Sequence, residues 1–117
     1  MPESLRYVEP EPIDREVAEV VLQGSDSAKI CHTLVSVALH DPDWRWVQEH
    51  CLRLLAAADP ELRRIAATCL GHLARIHGEL DLDRVEPRLH ELRNDPEVGG
   101  YAENALDDIQ QFMGTDG

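Results

Sequence analysis

His50-Cys51 and Cys69-x-x-His72 together hold two imidazoles and two thiols, the donor set of a tetrahedral zinc site. They fall on segments that read as partner helices of one hairpin, so four ligands could converge. Their positions argue otherwise. Cys51 and Cys69 take places in the apolar stripes of their helices, where a free cysteine behaves as a small hydrophobe. Structural zinc also usually draws paired ligands from short loops. Neither a metal nor a cofactor is expected. There is no Ser/His/Asp grouping, no phosphate-cradling loop and no acid pair in an evident cleft, so no catalytic residue is assigned.

Residues suited to recognition are better represented. The 117 residues include 23 acids against 11 bases, a formal net charge of -12, and the only lysine is Lys29. Such a field repels nucleic acid and anionic membrane and speeds encounter with a basic protein. Near the C-terminus, "AENALDDIQQ" puts Glu103, Asp107 and Asp108 on the polar side of a helix, with Glu97, Asn104 and Gln111 nearby. These groups could meet a partner's lysines and arginines; the plainer account is a solvated face. A second polar stripe holds Arg64, Thr68, His72 and Arg75. Trp46 lies about 130° from the centre of its helix's apolar stripe and could anchor an interface. Its alternative is packing against the loop before it or the first hairpin.

These side chains need helices to carry them, and six are expected. They cover 13–23 after Pro12, Ser25 or Asp26 to about His40, 43–57 after Asp41-Pro42, 60–77 after Asp59-Pro60, Asp81 or Asp83 to about Arg93, and 96–113 after Asp95-Pro96. In each Asp-Pro pair the carboxylate can accept from first-turn amides while proline arrives with its φ already set. The seven prolines are expected mostly to punctuate helices. Apolar residues recur at helical spacing in three helices. The third has Trp44, Val47, Cys51, Leu54 and Leu55. The fourth has Leu62, Ile65, Ala66, Cys69, Leu70, Leu73 and Ile76. The sixth has Val98, Tyr101, Ala102, Ala105, Leu106, Ile109 and Phe112. No segment alternates with period two, so no sheet is expected. Aromatics are only 4%, so the core must come from Leu, Val, Ile and Ala.

The interval from Asp59 to Asp95 is 36 residues, enough for one helical hairpin. The expected architecture is therefore all-α: a right-handed solenoid of about three antiparallel hairpins, 13–40, 43–77 and 81–113, with tails 1–12 and 114–117, in one domain. The N-terminal "MPESLRYVEPEP" is acidic and has no apolar run, so no secretory signal is expected and the location is read as cytoplasmic.

Asp59, Pro60, Leu62, Arg63, Ala66, Leu70, Gly71 and Leu73 resemble the second helix of HEAT-type repeats, with Cys69 in a small-residue slot. Asp95, Pro96, Val98, Ala102, Ala105, Leu106 and Ile109 match again, with Gly99 where arginine is usual. The resemblance implies a protein-binding surface, and a structural bond from Arg63 to the neighbouring repeat. It also implies that the last helix lines the concave, partner-binding face. Some small bacterial repeat proteins of this kind resemble immunity proteins, which neutralise toxins that are often basic nucleases. The expected function is therefore non-catalytic occlusion of such a toxin's cleft, by a chain that is monomeric when free. An adaptor or scaffold role is the alternative. A metal- or cofactor-using enzyme comes third. The family's di-iron hydroxylases need several His-Glu pairs and this chain has only His90-Glu91, while its bilin-attaching members are much longer.

Overall fold

The computed structural model describes residues 12–114; the acidic N-terminal stretch and the expected tails lie almost wholly outside them. The described chain folds into six helices and has no strand: α1 Arg15–Leu22, α2 Ser27–His40, α3 Trp44–Leu54, α4 Pro60–His77, α5 Leu82–Leu92 and α6 Gly99–Met113.

Aspartate precedes five of them, and in four its side chain caps the first turn. The carboxylates of Asp14, Asp26, Asp43 and Asp59 accept from the backbone N–H of Glu16, Lys29, Trp46 and Glu61, satisfying amides that have no partner within the helix. Gly78 closes α4 at φ 63°, in the left-handed region where glycine carries no Cβ penalty.

Four expectations need correction. The first helix begins at Arg15 and ends at Leu22, because Asp14 supplies the cap. The third runs only from 44 to 54. Asp41 caps nothing helical there: it accepts the Asp43 N–H at 2.8 Å, and Asp43 is the cap. At the other end, residues 55–57 tighten into turns, since Asp59 ahead of Pro60 must be extended. The sixth helix starts three residues later than expected. Asp95 accepts the N–H groups of Glu97 and Val98 in a separate turn, and α6 begins at Gly99. A Cβ at Gly99 would stand 2.5 Å from the Arg93 carbonyl oxygen, so glycine permits this close passage. Finally, Pro87 lies within α5 and does not punctuate it. Its ring removes the donor for the Asp83 carbonyl, a loss that water can make good because both residues are exposed.

α1 packs on α2, α3 on α4 and α5 on α6, giving three hairpins, while α4 also touches α2 and α6. α2, α4 and α6 therefore form one layer, with α4 at its centre. Leu22, Leu34, Leu55, Leu70, Leu73 and Leu89 are among the largest fully buried side chains, and no aromatic residue joins the buried core. Small residues at Gly71, Ala74, Ala102 and Ala105 are buried on α4 and α6, which lets the two backbones approach. Ile76, Tyr101 and Phe112, expected on buried stripes, are instead 45%, 46% and 45% exposed. They sit at the edges of those stripes, beyond the arc that neighbouring helices cover.

Equivalent polar bonds link successive hairpins. Ser27 donates to Asp59 at 2.7 Å, and Arg63 Nη1 donates to Asp95 at 3.1 Å, both across 32 residues. Asp59 and Asp95 thus each receive a bond from the preceding hairpin while also accepting from backbone amides of their own turns, which Asp41 does only for the Asp43 amide. Buried Gln48 accepts the Asp81 N–H at 2.7 Å, tying α3 to the start of α5.

Candidate partner-binding face

The side of the α2–α4–α6 layer turned away from α1, α3 and α5 collects most of the recognition candidates. Arg64, Thr68, His72 and Arg75 follow one another along α4. Arg64 is partly committed: its Nε donates to the Glu97 carbonyl at 2.9 Å and its guanidinium lies 5.8 Å from the centre of the Tyr101 ring. His72 contacts Arg75 through Nδ1. Burial, then the Arg75 charge, pushes the His72 pKa down against the opposing pull of Asp108, so the ring stays neutral at pH 7.

On α6, Asn104, Asp107 and Gln111 are exposed and Asp108 is half-buried. Asp108 leans on α4, where a Cβ at Gly71 would come 2.6 Å from its Oδ2. Neither Asp107 nor Asp108 forms an ion pair with a described residue. Glu103 does, with Arg93 at 3.3 Å, and Glu97 with Arg63 at 3.6 Å. Gly100, Tyr101, Glu103, Asn104 and Asp107 line a shallow depression of about 400 Å³.

Trp46 lies apart from this face, half-buried between α1 and α3. Its Nε1 donates to Glu19 at 2.8 Å, the Arg15 guanidinium lies 4.2 Å from its ring centre, and His50 meets it edge-on at 5.1 Å. His50 Nε2 is 3.2 Å from the same Glu19 oxygen, and Arg53 reaches both His50 Nδ1 and the Leu22 carbonyl. Arginine can only donate, so Nδ1 accepts and Nε2 carries the proton toward Glu19. Bonds from Trp46, then His50, then Gln23 hold the Glu19 carboxyl below its usual range.

The four metal-ligand candidates do not come together as a set. Cys51 and Cys69 are wholly buried in the core, and burial pushes both thiols up. His50 is engaged with Glu19 and Arg53, while His72 sits on the opposite layer. Among the described residues, no group of three or more His, Cys, Asp or Glu side chains is placed to hold a metal ion.

No family model and no curated protein matches the chain, so the HEAT-type assignment rests on residue pattern and hairpin spacing alone. A solved structure does match: a chain of the "CDI complex from Cupriavidus taiwanensis LMG 19424", 33% identical, with a TM-score of 0.83. The similarity covers 95% of this chain and 98% of that one. This protein belongs to the same family as that chain. Because the likeness runs along nearly the whole of both, it embraces the arrangement of the hairpins and not one repeated helix.

Sequence reasoning missed the exposed Tyr101, Phe112 and Ile76. The only signal available was angular: about 100° per residue places Tyr101 and Phe112 some 60° or more from Ile109 on α6. Stripe membership alone did not tell edge from centre.

Proposed function

We propose that this protein is an immunity protein, binding and silencing the toxin of a contact-dependent inhibition pair. The observation that carries this reading is the near full-length likeness to a chain of a CDI complex. By the same reading the toxin is a basic, nuclease-type protein, and the immunity protein acts without catalysis by covering its cleft. Glu103, Asp107 and Asp108 stand in for nucleic-acid phosphates, with Glu97, Asn104 and Gln111 beside them and Arg64, Thr68, His72 and Arg75 across the groove. The net charge of -12 speeds the encounter through long-range attraction.

The free protein is on this account a bacterial, cytoplasmic monomer. No helix among the described residues is long and apolar enough to cross a membrane. The protein's architecture on this account is a right-handed HEAT-like solenoid of one domain; the adjacency of α2, α4 and α6 supports the stacking of the hairpins.

The test is co-production in a bacterial host with the toxin domain encoded beside this protein's gene. Growth should be rescued, and a one-to-one complex should elute from a sizing column. Unrescued growth with no complex would overturn the assignment.

A further inference from the structure

Five large hydrophobic side chains are exposed among the described residues: Val17 and Val20 on α1, and Ile76, Tyr101 and Phe112 on the open face of α4 and α6. Scattered exposed apolar residues require no explanation. Tyr101 and Phe112 are not scattered. They lie 11 residues apart on α6, within about 20° of each other around the helix and about 16 Å apart along it. Asp108 lies between them, on the same side.

The register against α4 adds a pattern. Arg64 stands by Tyr101 and Gly71 by Asp108, so positions 37 apart are level. That sets Arg75 level with Phe112. The seam therefore reads arginine–aromatic, carboxylate, arginine–aromatic. Tyr101 divides two depressions, one of about 400 Å³ reaching Asn104 and Asp107, and one of about 190 Å³ reaching Ile65, Thr68 and Cys31. α6 contains no basic residue, and its unpaired carboxylates here are Asp107 and Asp108, Glu103 being paired with Arg93 at the end of α5; α4 contributes Arg64, Arg75 and, beside the smaller depression, Glu61.

We infer that this α4–α6 seam is where the toxin docks, with Tyr101 and Phe112 as its anchors. The partner surface that fits is an aliphatic or aromatic patch bordered by lysine or arginine. The cation reaches Asp107 and Asp108, the apolar patch covers the two rings, and Arg64 and Arg75 meet carbonyl or carboxylate oxygens across the seam. Aromatic and arginine side chains are the common energetic centres of protein interfaces. Tyr101 is also steadied by the Arg64 guanidinium, so less rotamer freedom is lost on binding. Division of labour follows: the carboxylates of α6 set the rate of encounter and the aromatics set the lifetime of the complex. This inference rests on the immunity reading and adds the place and chemistry of docking.

The probe is an active-site-inactivated form of the toxin domain encoded beside this protein's gene, titrated by calorimetry into the full chain. Tyr101→Ala and Phe112→Ala should each weaken Kd by about 30-fold, with thermal midpoints close to wild type because both rings are exposed. Val17→Ala with Val20→Ala should stay within about twofold. Hydrogen exchange in the complex should slow in α4 and α6. If wild type binds but both aromatic variants bind within threefold of it, or if protection falls only on α1, α3 and α5, the docking site is wrong while the immunity reading stands. If wild type does not bind, both fall. A wild-type dimer in sedimentation that Tyr101→Ala dissolves would give the seam to a second copy and overturn the inference.

Discussion

Two aromatic-bearing regions behave in opposite ways. At the α1–α3 junction, Trp46 is flanked by Arg15, Glu19 and His50, and the indole N–H, both His50 ring nitrogens and both Glu19 oxygens have partners within the protein. On the α4–α6 seam, Tyr101 and Phe112 are nearly half exposed, and Asp107 and Asp108 lack a described cation. Residue type does not separate the two regions, since each holds aromatics, arginine, histidine and carboxylate. What differs is completion. The first network is satisfied internally and holds two hairpins together; the second leaves apolar area and negative charge for something else to satisfy.

The sharpest break of that contrast comes from Trp46→Ala. Removing the ring leaves a cavity and strips Glu19 and His50 of a neighbour, which should cost about 3 kcal/mol in urea unfolding. Toxin affinity, measured on the folded fraction, should hardly move. A large affinity loss with little change in stability would make Trp46 a contact residue and erase the distinction.

Arg63→Ala comes next. Its guanidinium is only 17% exposed and joins α4 to Asp95 and Glu97. Losing it should cost about 2 kcal/mol in the same assay; an unaltered midpoint would mean the bonds between hairpins carry no net stability.

On the seam the effect should be kinetic. Asp107→Lys with Asp108→Lys should slow association with the toxin about tenfold at low salt and much less at high salt, as stopped-flow fluorescence would read. An on-rate unchanged at low salt would show that these carboxylates do not steer.

The pH dependence separates the layers further. His72 has its pKa lowered on folding, so the unfolded chain takes up its proton first. Stability should be complete above the ordinary value of 6.5 and decline as pH falls from there toward the folded-state pKa. His72→Gln should flatten that slope in pH-resolved denaturation. Asp59 and Asp95 are also lowered, by Ser27 and by the Glu97 amide respectively. Their contribution is present above the ordinary aspartate value of 3.8 and disappears as pH falls through the folded pKa. Gly71→Ala should move stability least. A gain in helix propensity of about 1 kcal/mol opposes the displacement of the Asp108 carboxylate, so a near-neutral midpoint with altered toxin affinity is expected.

Much of the fold was legible in the sequence because helix signals are local. Aspartate before a first turn, apolar residues at steps of three and four, and glycine after His77 each act within a few residues. The Asp-Pro reading failed where proximity was not enough: Asp41 and Asp95 bond into turns of their own, and the helices wait for Asp43 and Gly99. Arg63 was assigned a structural bond from the family resemblance, and its geometry supplies one. The sequence leaves Trp46 open between an exposed anchor and packing on the first hairpin, because its partner Glu19 lies 27 residues away.

Composition and periodicity by themselves determined an all-helical chain of six segments, an aliphatic core and a strongly negative charge, since each is a sum or a short-range pattern. Only the tertiary structure decided which edge of each apolar stripe a neighbour covers. That depends on how far α4 stands from α6, a distance set by buried glycine and alanine on both helices. The same approach buries Ala105 and Ile109 and leaves Tyr101 and Phe112 open to solvent.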